Sequence, residues 1–193
     1  MMGADRERTL WWISFISLPA LVVLAFSLNA WRSFQEYQRR TEIEIVGNAG
    51  DRIYAGALWQ VEAARLLGDG KDTPLRLPGE RRLVILRLST TAVKDIGEDW
   101  SQCQISLVDG EGRRWLPLDV TLSNNVSREL NPKATPINGC GIASLTPLSK
   151  GENTLIEEKF LVPAPVAGRL SARISFAPSR PTALSIPLRL GAQ

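Results

Sequence analysis

The chain has 193 residues, with 23 basic and 20 acidic side chains, a net charge of +3 at pH 7, two cysteines and no histidine. Without imidazole, Ser-His-Asp and Cys-His catalysis and every histidine-bearing metal site are excluded, and scattered arginines at modest net charge leave no footprint for nucleic acid. No C-x-x-C spacing and no phosphate-cradling glycine pattern is present, so no metal and no cofactor is expected.

The first element in chain order is the uncharged run from Leu10 to Trp31. As a helix it is about 33 Å long, against a bilayer hydrocarbon core of roughly 30 Å. Trp11, Trp12 and Trp31 stand where aromatic rings favour the headgroup zone, and Arg8 and Arg32 close the run on either side. These features predict a short cytoplasmic tail over 1–9, a transmembrane helix over 10–31 and a stalk over 32–41 that continues the helix. Pro19 removes one backbone donor and predicts a kink. A cleaved signal peptide, cut after Ser27 or Ala30, and a buried helix of a soluble protein are the competing readings. Basic residues balance across the run, with Arg6 and Arg8 before it and Arg32, Arg39 and Arg40 after it. Orientation therefore rests on the cysteines and on the β-rich pattern that follows, which place residues 42–193 outside the cytoplasm. The expected localisation is that of a single-pass membrane protein with its C-terminal domain periplasmic or at the cell surface.

Alternation begins at Glu42, with Ile43 and Ile45 on one parity and Glu42 and Glu44 on the other, the mark of a half-buried strand. A turn over 47–51 follows. Ala57–Gly68 fits a helix or a strand; its bracketing glycines and strand neighbours favour a strand with Trp59, Val61 and Ala63 inward. Residues 69–81 read as a loop, and Arg82–Ser89 as a central strand with Val84, Leu86 and Leu88 as its inner set. Gln102–Val108, the turn over 109–112 and Arg113–Val120 predict a hairpin.

Residues 121–147 are rich in Asn, Ser, Pro and Gly with little apolar periodicity, which predicts a long irregular excursion and a candidate partner surface. Three strands close the chain, over Glu157–Val162, Leu170–Phe176 and Ala183–Leu190, and Pro187 on the outward parity of the last suggests an edge strand.

Cys103 shares strand parity with Ile105 and Leu107, and an even cysteine count in an exported domain suits a single Cys103–Cys140 bridge; two separate buried thiols are the alternative. The acid pairs Glu98/Asp99, Asp109/Glu111 and Glu157/Glu158 are the candidates for carboxylate chemistry. Turn formation accounts for Asp109 and Glu111 better than a cation site does, and Glu157 and Glu158, adjacent on a strand, point to opposite faces. Cys140 lies between two glycines with no histidine to activate it.

About eight short strands with no helix in the second half predict an all-β antiparallel sandwich of immunoglobulin type, with a small barrel as the alternative. The Trp59 strand, the FLVP element at Phe160–Pro163 and the last strand pair separated by Pro178 and Pro181 resemble the membrane- or lipid-anchored immunoglobulin-like domains of bacterial envelope proteins. That resemblance implies a binding or accessory module and carries over no site residue. The expected function is therefore non-enzymatic: an anchor in membrane lipid and an interaction surface offered to a protein partner in an envelope assembly, with no nucleic acid and no specified small-molecule ligand. The alternatives are an envelope hydrolase that uses carboxylates without histidine, and a secreted β-domain freed by signal cleavage.

Overall fold

The computed structural model describes residues 2–47, 52–68, 77–133 and 135–190, so the predicted turn beyond Gly47 and most of the loop after Gly68 lie outside the described residues. Two compact units result, Met1–Thr41 and Glu42–Gln193. The first is one helix, α1 (Met2–Arg40), which runs through Pro19 and includes the predicted stalk. The window of highest hydropathy, within Leu10–Arg40, averages 2.0. Such a helix is long and apolar enough to cross a bilayer.

Among its described residues the second unit holds nine strands in two sheets. The five-stranded sheet runs in the order β1 (Glu44–Val46), β9 (Thr182–Pro187), β8 (Leu170–Ser175), β5 (Gln104–Asp109), β6 (Arg114–Trp115). The four-stranded sheet runs β2 (Ile53–Tyr54), β3 (Ala57–Leu67), β4 (Arg81–Ala92), β7 (Asn153–Pro163). Strand periodicity sends alternate side chains inward, and the inner faces of both sheets join one core that includes Trp59, Leu86, Ile105, Phe160, Ile174 and Leu184. At one end of that core Trp59, Trp100 and Phe176 pack with ring centroids 5.2–5.8 Å apart. The two buried indoles find acceptors in the tight turn before β3: Trp59 Nε1 donates to the Tyr54 carbonyl and Trp100 Nε1 to that of Ala55, both at 3.0 Å.

Several expectations are corrected. The domain is β-rich but not all-β, because residues 120–147 contain α2 (Val120–Leu130) and the short α3 (Cys140–Ala143). Asp119 begins α2, its side chain accepting from Leu122 N at 3.0 Å, and this cap also ends the second arm of the predicted hairpin, leaving β6 only two residues long. The half-buried face of α2 carries Ser123, Asn124, Val126, Ser127 and Leu130. Three of these five are polar, so hydropathy alone does not register the period.

β3 is a strand, as expected, but its register shifts between Val61 and Ala63, and beyond that bulge Ala64 and Leu66 face the core in place of Ala63. At the domain's start the expected parity holds within β1, where Glu44 is exposed and Ile45 half-buried, but not in the two residues before it. Ile43 is exposed, whereas the Glu42 carboxylate is only 3 % exposed, paired with Arg114 and accepting from Ser175 Oγ on the outer face of β8. β9 is not an edge strand, because β1 pairs beside it in parallel; that pairing ends at Leu184, so Pro187 interrupts no ladder on that side. Central placement of β4 and its inner set of Val84, Leu86 and Leu88 are as expected.

Candidate functional site

β7 is the last strand of its sheet, and an unpaired edge needs cover. The segment from Leu116 to Pro147 supplies it: Leu118 N donates to the Lys159 carbonyl at 2.7 Å, and Glu157 N to the Asn138 carbonyl at 3.1 Å. Cys140 is bonded to Cys103, 37 residues away, which ties α3 to the start of β5. The expected disulfide pairing is thus present.

Alternate residues of β7 feed two different environments beneath this segment. On the outer face Glu157 stands opposite Arg87 of β4, accepts from it at 2.8 Å and from Lys159 Nζ at 2.8 Å. Lys159 is 2 % exposed and also reaches Ser123 Oγ of α2 at 3.3 Å, so a polar cluster rather than an apolar one seats that helix. Burial pushes the Glu157 carboxyl up, but the hydrogen bonds from Lys159 and Arg87 outweigh it and hold the group below its ordinary range. A polar cavity of about 270 Å³ lies beside the cluster, reaching Arg65 and Asn131.

On the inner face Glu158 occupies the row between Ile156 and Phe160, opposite Leu86. Its Oε1 accepts from Cys140 N at 2.7 Å. Burial raises its pKa, and the Cys140 hydrogen bond only partly offsets that rise. Next to it opens a cavity of about 480 Å³ between α3, the start of β5 and the 116–124 stretch, walled in part by Leu116, Leu118, Val120, Ile137 and Ile142. Its size and mixed lining are those of a small-molecule or side-chain pocket.

No protein-family model and no curated protein matches the chain. Two solved structures are similar to part of it. One is a conserved hypothetical protein from Bacillus anthracis, at TM-score 0.37 and 8 % identity over 60 % of this chain and 72 % of that one. The other is an uncharacterized β-sandwich protein from Clostridium difficile 630, at TM-score 0.39 and 6 % identity over 78 % of this chain and 97 % of that one. At those scores the likeness brings neither a site nor an activity to this chain.

The three acid pairs have distinct fates. Asp99 pairs with Lys94 at 2.6 Å. Asp109 accepts from Glu111 N and Arg113 N at 2.9 Å and pairs with the Arg113 side chain, so turn formation occupies both of its oxygens. Glu157 and Glu158 face opposite ways, as expected. Among the described residues no three metal-ligating side chains come together. Sequence reasoning missed Glu158 as a pocket residue, Lys159 as a buried cation and Glu42 as a buried anion. For Glu158 the signal was present: Ile156, Phe160 and Val162 fix the inward parity of β7, and Glu158 falls on it.

Proposed function

We propose that the chain is a single-pass membrane protein whose extracytoplasmic, immunoglobulin-like domain is a non-enzymatic accessory module, offering the Leu116–Pro147 segment to a protein partner in an envelope assembly. The observation that carries this reading is apolar surface on a pinned segment. Leu116, Val120, Leu122 and Leu145 are between 51 % and 79 % exposed, and Leu116 and Val120 rim the cavity that Ile142 also lines. Apolar exposure concentrated on a segment fixed by a disulfide and two backbone hydrogen bonds is a mark of an interaction site. The membrane assignment is supported by the helix itself: Leu10–Trp31 is apolar around its whole circumference, and a lone helix has nothing in its own unit to cover those side chains. A disulfide supports an oxidising compartment. Parallel pairing of the first strand with the last, and chain crossings between sheets at β4–β5 and β7–β8, support the immunoglobulin-like reading.

Alkaline carbonate should leave the protein in the membrane fraction. Gentle detergent extraction and affinity purification should return a stoichiometric protein partner, and the Leu122→Asp/Leu145→Asp variant should be recovered, folded, without it. Release by carbonate sinks the anchor, and repeated recovery of the wild type alone sinks the partner surface.

A further inference from the structure

We infer that the cavity beside Glu158 binds a primary alkylammonium group, a short apolar chain ending in –NH3+, with the Glu158 carboxylate as its counter-ion. The inference deepens the reading of the Leu116–Pro147 segment as a binding surface and rests on it. Glu158 is 8 % exposed and pairs with no cation among the described residues, whereas Glu157 beside it has two. Lys159 attracts it only from beyond ion-pair distance; a buried carboxylate without a paired cation is costly, and a ligand that brings one recovers the cost. Oε1 is held by Cys140 N, and among the described residues Oε2 accepts no hydrogen bond. That oxygen is the free acceptor.

The approach of the excursion to the carboxylate is built in. A Cβ at position 139 would lie 2.8 Å from Oε1 and 3.2 Å from Oε2, so glycine there lets the backbone close on the carboxylate. The rest of the lining selects the sign of the ligand. Asp119 and Glu158 line the cavity beside the neutral Gln104, Ser123, Asn124 and Asn138, and no lysine or arginine does, so the charge of the lining favours a cation over an anion. Aliphatic walls from Leu116, Leu118, Val120, Ile137 and Ile142 suit an alkyl chain and give a hydrated metal ion few ligands. The ammonium can come from a free amine or from a lysine side chain on the proposed protein partner.

The test uses the full chain in detergent micelles, with n-butylammonium, n-butanol and n-butyrate as ligands in saturation-transfer NMR, and N-acetyl-lysine methylamide in a parallel arm. Butylammonium should bind, and butanol and butyrate should bind at least ten-fold more weakly. Glu158→Gln should weaken butylammonium at least ten-fold while still melting in a single cooperative transition. Ile142→Trp, which fills the cavity while keeping the carboxylate, should abolish binding. Binding of the lysine derivative assigns the ammonium to a side chain, and its failure beside butylammonium binding assigns it to a free amine. Absent butylammonium binding, equal binding of butyrate, or undiminished binding by Glu158→Gln overturns the inference. Loss of the protein partner with amine binding intact would instead sink only the partner surface.

Discussion

Adjacent on β7, Glu157 and Glu158 titrate in opposite directions because the strand sends one to a pair of cations and the other to a desolvated edge, and stability should record both. Glu157 has a lowered pKa, so its contribution is complete above the ordinary value of 4.5 and is lost as pH falls through the lower folded value. Glu158 has a raised pKa, so stability falls as pH rises from 4.5 through the higher folded value. Melting temperatures across pH 3 to 8 should therefore show Glu158→Gln flattening the decline on the alkaline side, and Glu157→Gln removing part of the decline on the acid side. Glu157→Ala leaves the buried Lys159 ammonium without its carboxylate and should cost about 3–5 kcal/mol in denaturant unfolding. The Thr90 hydroxyl is sealed in the core without a partner. Thr90→Val keeps the shape and removes the unpaired group, so it should leave unfolding free energy unchanged or raise it by about 1 kcal/mol.

The covering segment is held at both ends by chemistry that can be removed piece by piece. Asp119→Ala takes away the α2 cap and should cost about 1 kcal/mol, read by denaturant titration. Replacing Cys103 and Cys140 by Ala opens a loop with a separation of 37 residues. In the chain-entropy model that loop is worth about 4 kcal/mol. Hydrogen exchange in the double variant should rise first at Gly139–Ala143. The strands were legible because their inward sets are aliphatic: Val84, Leu86 and Leu88, or Leu170, Ala172 and Ile174. What escaped was polar on a buried face. Ser123 and Ser127 hide the α2 period because the sheet surface they meet carries Lys159, and Glu42 is inside because Arg114 and Ser175 receive it. The β3 bulge leaves no mark in an alternating pattern, since either parity after Val61 offers an apolar set. The disulfide followed from count and compartment, but the Glu158 cavity depends on which segments meet at the edge of β7, a property of tertiary structure alone.

At the scale of the whole molecule the helix and the domain are separate compact units, the chain passing from one to the other between Thr41 and Glu42. A fragment from Glu42 onward contains all nine described strands and the disulfide, so it should fold alone, with a β-dominated circular dichroism spectrum and a single cooperative melt; a largely helical spectrum would refute the architecture. β1 comes directly after the helix, yet among the described residues its only ladder is with β9, so Glu44 waits for Thr182 and Val46 for Leu184. During synthesis the first strand of the domain therefore leaves the ribosome with its hydrogen-bonding partner not yet made, and the five-stranded sheet reaches its full width only after nearly all of the domain has emerged. Stalling translation just before Thr182 should leave nascent chains open to protease at residues 42–47, whereas the released full chain should protect them.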